Sequence, residues 1–235
     1  MPYAYDGPPD RHAFFLRHRW VIVGGGLLAF IAGYINVVLL GYYHVPVSHM
    51  SGAVSRLSMD LQDKSQGKAW QVLGIIGGFL AGAVISGFFI DGRRPKPTLK
   101  YSVLLLLESA ILFIAAWLLN RNMSVGVAME SMACGLQNAM TSSFFGLITR
   151  TTHVTGIVTD LGVLIGQAIR DRMVETWKLV VLGSLLIGFF GGGLAGAYSL
   201  SKMGMKSLFL AGAATALGAV IYWRGFGYWN RRKNV

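Results

Sequence analysis

The chain has 235 residues, 54% of them hydrophobic and 13% charged, with a mean hydropathy of +0.53. Soluble domains carry about 25% charged residues, so the composition excludes an ordinary soluble domain and points to an all-α integral membrane protein. The formal charge of +11 does not call for nucleic acid, because membrane proteins gather Lys and Arg in cytoplasmic loops.

Residues 1–19 are polar and hold Pro2, Pro8 and Pro9. They lack the short apolar stretch and small-residue cleavage site of a secretory signal. A cytoplasmic N-terminal segment ahead of a retained first helix is therefore expected. Crossing the hydrocarbon core takes about 20 mostly apolar residues, and six windows supply them: roughly 20–43, 69–90, 101–119, 124–148, 177–200 and 205–223. The fourth window is the most polar, with Ser124, Glu130, Ser131, Gln137, Asn138 and Thr141. Such a face is tolerable only against protein or water. Residues 224–235 form a basic tail.

With the N-terminus inside, 15 of the 21 Lys and Arg fall on the inner side. The positive-inside rule then places both termini in the cytoplasm.

The first and fourth windows share a polar phrase. Gly33-Tyr34-Ile35-Asn36 is followed by His49-Met50-Ser51-Gly52-Ala53-Val54-Ser55-Arg56-Leu57. Gly135-Leu136-Gln137-Asn138 is followed by His153-Val154-Thr155-Gly156-Ile157-Val158-Thr159-Asp160-Leu161. A G-x-x-N and then H-x-[ST]-G-x-V-[ST]-x-L, twice in the same order, reads as an internal duplication. Trp70 and Trp177 open the following helices, and Gly77–Ala83 resembles Gly191–Ala197. The offsets between copies rise steadily: 102, 104, 107 and 114.

The expectation is one membrane domain over 20–223, with repeat 1 about 20–119 and repeat 2 about 124–223. Each unit has three spans, an odd number, so the two lie upside down relative to each other, as in many secondary transporters. If the H-x-[ST]-G segments also crossed, the repeats would be parallel. Arg56, Asp60 and Asp63 argue against that crossing.

After each histidine, Ser51 and Thr155 are expected at the N-cap. The stretches Gly52–Gln62 and Gly156–Ile169 read as short half-helices. Their N-terminal ends suit an anion or polar solute, or they are simply capped interfacial helices. His49 and His153 either fix a turn or titrate, since an unperturbed imidazole has a pKa near 6.5. Asn36 and Asn138 need partners inside an apolar span, supplied by a neighbouring helix or by solute.

Glu108 and Glu130 are intramembrane acids, which usually line a polar path or proton relay. Neither has an acidic counterpart: Leu28 aligns with Glu130 and Ala214 with Glu108. Asp160 aligns with Arg56, and an ion pair to Arg150 or Arg170 is expected. Substrate-binding candidates are thus Asn36, His49, Ser51, Gly52, Gln137, Asn138, His153, Thr155 and Gly156. Proton-coupling candidates are Glu130, Glu108 and Asp160.

Two histidines without a repeated carboxylate are too few for a metal site, and no cofactor is implied. Gly191-x-Gly193-x-x-Gly196 formally fits a dinucleotide fingerprint, but it lies in a span with no strand before it. No G-x-S-x-G, H-E-x-x-H or phosphate-cradling motif occurs, so nothing argues for an enzyme.

On Gly33 to Asn36, His49 to Gly52, and above all Gly135 to Gly162, the chain resembles the YoaK family. These are bacterial six-span membrane proteins of unknown function; the resemblance implies membrane class and a bacterial origin, hence a bacterial cytoplasmic (inner) membrane, and nothing sharper. The expected function is a small secondary transporter or permease for a small polar or anionic solute, with proton coupling as an option. A non-transporting membrane scaffold or sensor is the alternative. Its partners would be the lipid bilayer, a solute and a second copy of the chain through the Gly-rich faces.

Overall fold

The computed structural model describes residues 11–44, 47–90, 98–141, 149–171 and 175–233. Eight α-helices follow in order: α1 (Arg11–Tyr43), α2 (Met50–Gln62), α3 (Gln66–Phe89), α4 (Leu99–Leu119), α5 (Val125–Met140), α6 (Val154–Asp171), α7 (Thr176–Met203) and α8 (Leu208–Lys233). A 3-10 turn at Gly204–Ser207 separates the last two. No strand occurs among the described residues.

Four stretches are long and apolar enough to cross a membrane: Ile22–Tyr43, Gln66–Phe89, Leu99–Leu119 and Thr176–Gly227. The last joins α7 and α8 across Gly204, whose φ of +58° suits glycine. Helix bounds run longer than the apolar windows. α1 starts at Arg11, and α8 continues to Lys233 through most of the basic tail. In the fourth window the described helix stops at Met140, and residues 142–148 lie outside the described ones.

Small residues decide the packing, because membrane helices gain from close backbone approach and not from expelling water. On α1 and α7, a Cβ at Gly188, Gly192 or Gly196 would overlap the carbonyl oxygen of Gly26, Phe30 or Tyr34. The residue numbers rise together, so the two helices run parallel. On α3 and α5, a Cβ at Gly78 or Gly82 would overlap the carbonyl oxygen of Ala128 or Met132. That pair is parallel too. Ser109 on α4 bonds Gly212 on α8, and Phe113 meets Phe209 while Tyr101 meets Tyr222. There the numbers move oppositely, so α4 and α8 are antiparallel.

These contacts correct the expected register of the copies. Gly78 and Gly82 play on α5 the part that Gly188 and Gly192 play on α1, an offset of 110 and not 114. Gly78-Phe79 then matches Gly188-Phe189. A glycine-rich helix slides by one turn of four residues with little loss of sequence match. The carbonyls it touches fix the turn.

Candidate functional site

Each polar phrase folds onto its own asparagine. Ser48 Oγ donates to Asn36 Oδ1 at 2.8 Å. The backbone N–H of Thr152 donates to Asn138 Oδ1 at 3.1 Å. Ser48 and Thr152 stand one residue before the paired histidines, at their offset of 104. The repeated phrase is therefore [ST]-H-x-[ST]-G, one residue longer than the H-x-[ST]-G pattern. Both asparagines find their partners inside their own phrase.

The first phrase turns back into the protein. Val47 is fully buried and Ser48 nearly so. The hydroxyl of Ser131, fully buried on α5, lies 2.9 Å from Val47 O and 2.8 Å from Ile75 O. Ile75 is nine residues into α3, about 13 Å along its axis at 1.5 Å per residue. The chain after α1 thus dips well below the helix ends before α2 begins.

The histidines, not Ser51 and Thr155, occupy the N-caps. The carbonyls of His49 and His153 accept the first helical bonds, from Ala53 and Ile157 at 3.0 Å. Ser51 and Thr155 lie one residue inside the helices. Each imidazole covers the glycine three residues on, where a Cβ at Gly52 or Gly156 would run into the ring. That contact explains the H-x-x-G spacing. Ser51 Oγ lies 3.4 Å from His49 Nε2, and both histidines are exposed. α2 lies on α3 and α6 lies on α7. Among the described residues the two short helices do not pack on each other.

The charged position that reverses between copies resolves unevenly. Arg56 pairs with Asp60 on α2 at 3.1 Å. Arg170 pairs with its neighbour Asp171 at 2.7 Å, not with Asp160. The expected ion pair of Asp160 is absent among the described residues.

The remaining candidates are deep in the helix core. Glu108 on α4 and Glu130 on α5 are fully buried, and none of their four oxygens has a hydrogen-bond partner. They are near enough for their charges to act on each other and on Cys134, also fully buried. Gln137 is fully buried as well. Its Nε2 donates to Leu28 O on α1 at 2.6 Å, while its Oε1 has no partner. Glu130, Cys134 and Gln137 follow i, i+4, i+7 spacing, one face of a helix. No Lys, Arg or His is buried among the residues whose side chains are described. No group of three or more His, Cys, Asp or Glu could hold a metal ion there either.

A buried ionised carboxylate without a partner is costly by several kcal/mol. These acids therefore have to be neutralised, by a proton or by a cation. Acid pairs left in this condition inside a helix bundle are chemically expensive and mark function more often than structure.

A family model described as "Protein of unknown function (DUF1275)" matches residues 25–221. No curated protein and no solved structure matches the chain.

Proposed function

We propose that this chain, which belongs to the DUF1275 family of proteins of unknown function, is a small secondary transporter or permease for a polar solute. The buried, unpartnered pair Glu108 and Glu130 is the observation that carries the reading. A protein that needed these helices only as scaffold would gain stability from apolar residues there. Acids that take up and release positive charge are what a coupled carrier uses.

The architecture behind this reading is six spans in two inverted units, α1–α4 and α5–α8. It draws support from the exchange symmetry of the contacts: α1 lies on α7 as α5 lies on α3, α2 on α3 as α6 on α7, and α4 pairs with α8. Parallel α1/α7 and α3/α5 with antiparallel α4/α8 suit an alternating in–out path with α2 and α6 as non-crossing segments. Rocking of one unit against the other would then open the α1/α5 crossing to each side in turn. The likeness to the YoaK family falls within the matched residues and agrees with six spans.

The scaffold reading has one observation in its favour: both asparagines are satisfied within their own phrases. Transport is tested by reconstituting the protein and recording solute-evoked currents on solid-supported membranes across cations, amino acids, nucleobases and small anions. Wild-type vesicles are expected to respond to at least one solute above protein-free vesicles, and Glu130→Gln vesicles to lose that response. A folded wild type silent to the whole panel leaves the scaffold.

A further inference from the structure

The interior site offers acceptors and almost no donors. Both oxygens of Glu108, both of Glu130 and Oε1 of Gln137 are buried and unpartnered. The amide donor of Gln137 is already committed to Leu28 O. The orphaned Gln137 oxygen is independent of the acids, and it shares one face of α5 with Glu130, about two turns further along the helix.

The pseudo-equivalent positions on α1 are apolar. Leu28, Ala32 and Ile35 occupy the places of Glu130, Cys134 and Gln137 at an offset of 102. Ala32 and Ile35 are buried, and Leu28, Ile35 and Cys134 belong to one hydrophobic cluster. The α1/α5 crossing is thus polar on one side and apolar on the other.

We infer that this site takes a small donor-bearing cation of the ammonium or primary-amine class, held by Glu130, Glu108 and Gln137 Oε1 with its alkyl part against α1. An anion would meet two carboxylates and no base. An ammonium group brings only donors and a positive charge, the complement of what is orphaned here. This rests on the permease reading and narrows its solute from polar or anionic to cationic.

The test uses the detergent-purified full chain, its unfolding temperature followed against methylammonium, ammonium, sodium and nitrate at fixed ionic strength and pH 8. A binder raises Tm by mass action. Methylammonium is expected to raise Tm in a saturable way, with sodium and nitrate inert. Glu130→Gln should abolish the shift, and Gln137→Leu should weaken apparent affinity at least tenfold. Glu130→Gln is nearly isosteric, so its own melting transition shows whether it folds. No shift with either amine, a shift unchanged in Glu130→Gln, or stabilisation by nitrate alone would each overturn the inference. Amine binding without flux of any solute removes the permease and leaves the site; anion flux without amine binding does the reverse.

Discussion

Ser48 donates a hydrogen bond from its hydroxyl to Asn36 Oδ1 across 2.8 Å, tying the segment ahead of α2 to α1 about two turns before its end. Twelve residues of chain are closed by that one bond. In the second copy the donor is the Thr152 backbone instead.

The difference between the copies gives a sharp expectation. Asn36→Leu and Ser48→Ala remove two ends of one bond, so their double mutant should fall short of additivity by about 1 kcal/mol. Asn138→Leu should destabilise by about 1–3 kcal/mol, because it orphans a backbone N–H. Thr152→Ala should cost little, since its side chain takes no part in the bond. Thermal unfolding of the five variants checks the pattern. Equal effects of Thr152→Ala and Asn138→Leu would contradict it.

Glycines in the helix seams and in the phrases should respond differently to alanine. Gly82→Ala drives a methyl into the Met132 carbonyl. Backbone cannot step aside, so α3 and α5 must separate, and a loss of about 1–3 kcal/mol is expected. At Gly52 the obstacle is the His49 ring, which can swing out. Stability should change by less than about 1 kcal/mol, while the His49 imidazole resonances shift in NMR spectra. Gly87→Ala meets nothing within 4 Å and serves as the neutral control.

The buried acid should trade stability against activity. Glu130→Leu removes a carboxyl that has no partner and fills the space with a group native to that position in the other copy. Replacing buried polar groups in this way is often neutral or stabilising. Glu130→Leu should therefore melt at or above the wild type while its solute-evoked current disappears. A large drop in Tm would mean that the carboxyl has a structural partner.

Much of the fold was legible because membrane helices announce themselves. Apolar windows of 20 residues matched Gln66–Phe89 and Leu99–Leu119 closely, and the H-x-[ST]-G phrase located α2 and α6. Helix ends were less legible. Arg11–Arg19 and Arg224–Lys233 are polar but helical, since a helix continues past the hydrocarbon when nothing breaks it. The N-caps were misplaced by two residues because Ser and Thr are the usual capping types, whereas His49 has room only because Gly52 lies beneath its ring. At the site, Glu108, Glu130 and Gln137 stood out as polar residues in apolar spans. The nearness of Glu108 to Glu130 did not, since it depends on how α4 and α5 cross. Ser131 was one polar residue among many until its contact with Val47 singled it out.

The alternating-access reading depends on the two units being inverted, which sidedness measures directly. Gln62 on α2 and Gln167 on α6 are exposed, and Cys134 is buried. Single cysteines at these positions, in a Cys134→Ala background, can be labelled with a membrane-impermeant maleimide in sealed right-side-out vesicles. Gln62→Cys is expected to label from outside and Gln167→Cys only after permeabilisation. Labelling of both from the same side would contradict two inverted units, and with them an α1/α5 crossing that opens alternately to each face.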